Sequence, residues 1–348
     1  MKDQKAILIL GLFVDASAGK QNIRTAEDRI AEMFRKNNIP VITSSYASGR
    51  NKRTIDNLYT LITKRKEYDI AIVPLFGTWP AFIWQEIVTR LLKFLNKKIL
   101  LGIHGGSIPG RIDKGATRFY ISLKRATVVF APSTYFSSYF KEKGFHVRVI
   151  ENPVDLAVYS FCAKEIIRPR IIWMRAFSDI YNPLMAVRVA KRMTEKYRDF
   201  EMVMAGKDGP LSIAAKNMAK EYGLADKILF PGYISMQQKQ QFAATYDIYI
   251  CTNKIDNTPV SLTEFMRFGL PVVSVNTGGI PYMIKDGENG LLVNAEDDEA
   301  MFHKICLLID NQPLAQSIIT KAYDYAQQYD ETNVMKKWNN VLAELKRL

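Results

Sequence analysis

Short apolar runs alternating with longer stretches of helical periodicity constrain this chain more than any other feature. Ala6–Leu10, Ile70–Pro74, Ile99–Ile103, Thr127–Ala131 and Val147–Ile150 are dominated by apolar side chains. Between them, Asn22–Asn37, Thr54–Lys66 and Ala81–Asn96 repeat apolar residues at helical spacing. The second half repeats the pattern, with strands at Ile171–Met174, Met202–Ala205, Ile228–Phe230, Asp247–Cys251, Pro271–Val275 and Leu291–Val293. Its helices read as Pro183–Tyr197, Ser212–Tyr222 and Glu299–Asp310. Strands apolar on both faces need cover on both faces, so the pattern predicts parallel sheets between helices. The expected fold class is α/β, two doubly wound, Rossmann-like domains in tandem. A first domain over residues 1–160 and a second over 161–330 are expected, with Glu151-Asn152-Pro153-Val154-Asp155 turning the chain and Arg168-Pro169-Arg170 leading into the next strand. Ligands of such sheets bind at the carboxyl ends of the strands, so two facing domains would form a cleft.

The composition, 48% hydrophobic and 24% charged over 348 residues, excludes a disordered chain. A bilayer span is not expected, because the longest charge-free run, Phe268–Ile284, is broken by Gly269, Pro271, Gly278, Gly279 and Pro281. Met1–Lys5 and the apolar run after it read as a first strand rather than a signal peptide. Cys162, Cys251 and Cys306 lie far apart without a Cys-x-x-Cys, which favours a reducing cytoplasm over a disulfide scaffold or structural zinc. The net charge of +13 is uneven: residues 1–160 hold 25 Lys and Arg against 13 Asp and Glu, residues 161–348 hold 23 against 22. A basic half suits an anionic partner such as a membrane leaflet, a phosphorylated lipid, an acidic polysaccharide or nucleic acid. Nucleic acid is disfavoured, since the basic clusters lack interleaved stacking aromatics or a known module. Ala81–Lys98 joins Phe82, Trp84, Ile87 and Leu91 to Arg90, Lys93, Lys97 and Lys98, and Arg50–Arg53 and Lys64–Lys66 add charge. It reads either as a helix touching anionic lipid or as a core helix with a solvated basic edge.

The sharpest pattern runs from Asp256 to Val293. Thr258 is a plausible N-cap with Pro259 at the first helical position, and Gly269 stops the helix Val260–Phe268 before Pro271. The N–H groups of Val260, Ser261 and Leu262 would then be free, and with the helix dipole they suit a phosphate. Asp256 stands before that helix and Glu264 projects from it. Two acids flanking a phosphate cradle suit a ligand with a phosphate in the middle and hydroxyls on both sides, the layout of a nucleotide sugar. Gly278-Gly279, after the next strand, would leave room for a sugar ring. No acidic cluster is placed for a metal: Asp297-Asp298 opens a helix, where the dipole accounts for it.

Asp256…Glu264, Gly269-Leu270-Pro271-Val272-Val273, Gly278-Gly279 and Asp286-Gly287-Glu288-Asn289-Gly290-Leu291 together resemble the retaining glycosyltransferases of the GT-B fold, family 4. Ile150–Asp155, Phe230-Pro231-Gly232-Tyr233 and His104-Gly105-Gly106 match more weakly. The resemblance implies two Rossmann-like domains facing across a cleft, with a last helix (331–348, containing Trp338) packing back on the N-terminal domain. It implies Glu264 on the nucleotide ribose, Asp256 and His104 on the donor sugar, and Arg175 on the diphosphate leaving group, with Tyr233 and the Gly11 turn among the nucleotide-sugar contacts. The lysine that usually partners Arg175 is missing, since Tyr181 and Asn182 stand there; Lys207 either replaces it or is an exposed loop lysine. Tyr282 stands where many relatives have Glu. The implied donor is a nucleotide-diphosphate sugar, without metal or cofactor, and the acceptor a glycan or lipid-linked hydroxyl in polysaccharide or glycolipid synthesis. The implied setting is the cytoplasm, with a peripheral contact to an acidic membrane face through the basic N-terminal half. A sugar-nucleotide epimerase, a pyridoxal-phosphate phosphorylase and a basic nucleic-acid binder are the alternatives. His146 and His303 read as surface or packing residues.

Overall fold

Each apolar run of the first half becomes a buried parallel strand: β1 (Ala6–Leu10), β3 (Tyr68–Leu75), β4 (Lys98–Ile103), β5 (Val128–Ala131) and β6 (Val147–Val149), joined by a β2 (Val41–Ser44) that the periodicity does not reveal. The structure, a computed structural model, describes residues 5–11, 13, 25–47 and 49–347. The strands form one six-stranded sheet in the order β2-β1-β3-β4-β5-β6. Helices α1 (Ala26–Lys36), α2 (Arg50–Thr63), α3 (Trp79–Phe94), α4 (Ile108–Asp113), α5 (Phe119–Arg125) and α6 (Thr134–Glu142) connect them. Alternate residues of each strand enter different cores. Leu8, Leu10, Val73 and Leu101 pack on one face, and Ile7, Ile9, Ile72 and Leu100 on the other. That is why the strands read as continuous apolar runs. Helix α1 starts where Thr25 and Asp28 form a reciprocal capping box, and Asn22–Arg24 of the expected helix lie outside the described residues.

The second half builds β7 (Arg170–Met174), β8 (Glu201–Ala205), β9 (Ile228–Gly232), β10 (Ile248–Cys251), β11 (Val272–Val275) and β12 (Leu291–Val293). Their order, β12-β11-β10-β7-β8-β9, is the Rossmann order read from the far edge. Helices α7 (Pro183–Lys196), α8 (Ser212–Glu221), α9 (Met236–Thr245), α10 (Val260–Phe268), α11 (Asp298–Asp310) and α12 (Gln312–Ala326) flank it, and Trp173, Met202, Met204, Ile250 and Val273 fill its core.

The last helix, α13 (Glu331–Arg347), belongs to the first unit. Its Trp338 is fully buried, edge-on to Phe34 at 5.3 Å and to Phe130 at 4.9 Å. The chain thus divides into one unit ending at Val154 and resuming at Tyr329, and a second spanning Asp155–Gln328. Residues 155–160 fold with the second unit rather than the first, because Tyr159 packs on Phe268 and bonds to Glu264.

Candidate functional site

In the second unit, strand order reverses between β7 and β10, and the residues leaving those two strands meet. Arg175 follows β7, and its Nη2 donates to Asp256 Oδ2 over 3.0 Å. Asn253 Nδ2 donates to the same oxygen over 2.8 Å, and the Asn257 amide donates to Oδ1 over 2.8 Å. The two charged side chains are only 15% and 19% exposed. Burial opposes the Arg175 charge, but the Asp256 carboxylate outweighs it and holds the guanidinium above its ordinary pKa. The Tyr181 ring lies 5.1 Å from that guanidinium, so a cation–π contact occupies the place where a lysine partner was sought. Asn182 is instead a helix cap, its side chain accepting from the Met185 amide.

Helix α10 enters this region with its first turn partly open. The expected cap is shifted by one residue: Pro259, with ψ at 110°, is itself the N-cap, and Thr258 Oγ1 is buried without a partner among the described residues. An extended ψ keeps Pro259 out of the helix. The Leu262 amide is not free, because it donates to the Pro259 carbonyl over 3.0 Å. That leaves the amides of Val260 and Ser261, which have no hydrogen-bond partner among the described residues. The helix is held from below: Tyr249 stacks on Phe265 at 4.1 Å and donates to Ser261 Oγ over 2.8 Å. Burial pushes the Tyr249 phenol pKa up, so it remains a donor.

Glu264, further along α10, is 6% exposed and bonded at both oxygens. Tyr159 OH donates to Oε1 over 2.8 Å and Lys239 Nζ to Oε2 over 2.7 Å. Lys239 was not anticipated. Helix α9, which carries it, is rich in Gln and weak in apolar periodicity, yet its Ser235–Gln238 capping box was a readable start signal.

The glycine pair is held close to the acidic loop. A Cβ on Gly278 would lie 2.1 Å from the Asp256 carbonyl oxygen, and one on Gly279 would lie 1.9 Å from that of Asn257. The Gly279 amide donates to the Asp256 carbonyl over 2.9 Å, and Thr277 Oγ1 to the Asn253 carbonyl over 2.8 Å. Two backbones touch here, so the glycines let the acidic loop seat against this turn, where no side chain would fit. The Asp-Gly-x-x-Gly hairpin is likewise structural: Asp286 Oδ1 accepts from the Leu292 amide, and Asn289 closes the turn through Lys285 and Met283. Lys207 and Tyr233 follow β8 and β9 and are exposed, while Asp297 caps α11 as its dipole suggested.

In the first unit, His104 follows β4 and lines a pocket of about 850 Å³ together with Gly11, Glu27, Asn57, Trp84 and Asn152. Its Nε2 lies 3.8 Å from Glu27 Oε1. Burial lowers the His104 pKa, and the nearby Glu27 carboxylate opposes that shift without cancelling it. Gly11 packs against Glu27, with 3.0 Å from an ideal Cβ to Glu27 Cγ. Except for Gly11 and Phe13, the turn from Gly11 to Gly19 lies outside the described residues. Glu27 was not anticipated; no motif marks it, and only the fold brings it to His104. His146 and His303 are exposed.

Residues 167–325 match the family of glycosyl transferases group 1. This segment contains Arg175, Lys239, Asp256 and Glu264. The chain is 25% identical over 160 residues to an uncharacterized glycosyltransferase of Haemophilus influenzae, covering 45% of this chain and 44% of that protein. It is 23% identical over 167 residues to a GalNAc-alpha-(1->4)-GalNAc-alpha-(1->3)-diNAcBac-PP-undecaprenol alpha-1,4-N-acetyl-D-galactosaminyltransferase of Campylobacter jejuni, covering 47% of this chain and 45% of the relative. The matched segment thus spans under half the length of these curated relatives. The crystal structure of Anabaena HepE in complex with UDP and glucose superposes with a TM-score of 0.73 at 16% identity, over 98% of this chain and 100% of the other. The fold is therefore that of the GT-B proteins, as the sequence motifs implied.

Proposed function

We propose that the protein is a retaining, metal-independent glycosyltransferase that moves a sugar from a nucleotide-diphosphate sugar to a hydroxyl of a glycan or lipid-linked acceptor, in polysaccharide or glycolipid synthesis. The observation that carries this reading is the partly uncapped start of α10, with free amides at Val260 and Ser261, together with the partly buried Arg175–Asp256 pair at the strand switch point. A departing nucleoside diphosphate gains negative charge as its bond to the sugar breaks. The helix N-terminus and Arg175 would stabilise that charge without a metal. Glu264, oriented by Tyr159 and Lys239, would accept from the ribose hydroxyls, and Asp256 and His104 would address the donor sugar. UDP is the first nucleotide to test, since the neighbour HepE was solved with it.

A thermal-shift screen of nucleoside diphosphates and their sugars tests the reading. A ligand at one hundred times its dissociation constant adds about 2.7 kcal/mol of stability. Arg175→Ala and Glu264→Ala should each remove the shift, with circular dichroism confirming that the variants fold. A shift that survives both substitutions would show the assignment to be wrong.

The basic first unit suits a peripheral contact with an acidic membrane face on the cytoplasmic side, and no helix among the described residues is long and apolar enough to cross a membrane. Helix α2 exposes Ile55, Tyr59 and Ile62 near Lys52 and Lys64, a face suited to anionic lipid. Cosedimentation with anionic vesicles at low salt is expected and should fall as salt rises. Equal recovery with neutral vesicles would remove the membrane contact.

A further inference from the structure

Helix α3 buries Gln85, Val88 and Leu92, as a crossover helix should. Its solvent side is not polar. Ile83 and Ile87 are exposed, and Phe94, 84% exposed, is the most exposed large apolar side chain among the described residues. Residues 83, 87 and 94 recur at helical spacing and so share one stripe, of the kind a surface helix normally turns inward. Along it runs a groove of about 560 Å³, lined by Ile83, Ile87, Leu91 and Phe94 and rimmed by Glu86, Arg90 and Arg118.

The rim carries both signs of charge, although residues 1–160 as a whole are strongly basic. Glu86, its side chain 18% exposed, accepts from Arg90 Nη2 over 3.3 Å and from Arg118 Nη2 over 2.8 Å. Both arginines are largely open to solvent. An anionic leaflet favours basic residues with no carboxylate among them, and a flat bilayer leaves a concave groove unfilled. A protein surface with a protruding apolar side chain and charges of both signs answers this face better. The helix itself supplies one. A face that holds both the projection and the hollow is complementary to a second copy turned about a two-fold axis. With that axis crossing α3 near Val88, Phe94 meets Ile83 of the partner subunit and Glu86 meets Arg90 of the partner subunit. Residues 83 and 94, like 86 and 90, stand almost symmetrically about position 88.

We propose that the protein self-associates as an isologous dimer through antiparallel α3 helices. Phe94 of each copy fills the groove of the other, and Glu86 pairs with Arg90 of the partner subunit at both ends. The proposal is independent of the glycosyltransferase reading. A contact made mainly by one helix is at the small end of specific interfaces, so the dimer is reversible and depends on concentration.

Sedimentation velocity over a dilution series tests it. The average mass should fall from dimer towards monomer on dilution. Phe94→Asp should weaken association about tenfold or more, because a buried aromatic anchor carries much of a small interface. The position is exposed in the single chain, and circular dichroism of the variant should be unchanged. Glu86→Arg and Arg90→Glu should each weaken the dimer, since each sets like charges against one another across the axis. Mixing these two variants should restore it, because both pairs in the mixed dimer are again of opposite sign. A monomer at every concentration, a dimer indifferent to Phe94→Asp, or no recovery on mixing would overturn the proposal. So would loss of binding to anionic vesicles on Phe94→Asp with the mass unchanged, which would make this face a lipid contact.

Discussion

His104 shows how one residue's surroundings become a measurable property. It follows β4 with a side chain 9% exposed, and loss of solvent disfavours the imidazolium more than the Glu27 carboxylate favours it. The folded protein therefore holds the ring neutral below the ordinary value of 6.5. As pH falls through that value, the unfolded chain takes up a proton that the folded chain refuses, and stability drops. Above it the term is fully present and flat. His104→Gln removes the term, so the stability difference between wild type and variant should be constant at alkaline pH and fall below about pH 6.5. Urea denaturation at several pH values checks this. A difference that stays level on acidification would show that His104 titrates normally and is not held in a dry pocket.

At the scale of elements, the second unit depends on how the entering segment is fastened to β10. Asp247, fully buried at the head of that strand, accepts from Arg168 Nε over 2.8 Å and lies 3.4 Å from Lys164 Nζ. Lys164 is itself only 4% exposed, and burial lowers its pKa against the pull of Asp247. Removing the carboxylate leaves a buried ammonium without its counter-charge. Asp247→Ala should therefore cost about 3–5 kcal/mol, and adding Lys164→Met should recover much of it. Chemical denaturation of the single and double variants measures both, and additive losses would mean the two groups are not coupled. The segment that carries Lys164 was visible in the sequence only as a turn before a strand, and the pairing was not visible at all. Most elements were legible: α10 runs over the residues expected, because a proline before it and a glycine after it mark both ends. What the sequence hid were elements whose signals lie outside periodicity. Short β2 lacks the length to show a pattern, and α9 lacks an apolar stripe. The site shows the same division. Arg175, Asp256 and Glu264 were singled out by motif, but Lys239 and Glu27 arrive from distant elements, and the contact of Gly278-Gly279 with the Asp256 and Asn257 carbonyls needed the fold in place.

At the scale of the molecule, the chain enters the first unit, builds all of the second, and then returns to finish the first. Helix α13 covers Ile72 and Phe130 of the sheet and Phe34 of α1, which would otherwise face water. Trp338 is the wedge in that cover, while Lys337 pairs with the buried Glu151 over 2.6 Å and fixes the helix near the point where the chain leaves the unit. The first unit is thus incomplete until the segment from Tyr329 onward is in place, whereas the second is a continuous segment. Trp338→Ala should leave a cavity against Phe34 and Phe130 and lower the stability of the first unit by about 3–5 kcal/mol. Nucleotide binding is assigned to residues of the second unit, so it should persist below the variant's melting temperature. Calorimetry of the variant with and without UDP separates the two effects. Loss of the low-temperature UDP response on Trp338→Ala would mean that the nucleotide site needs the first unit intact, and that Arg175, Asp256 and Glu264 do not suffice to hold it.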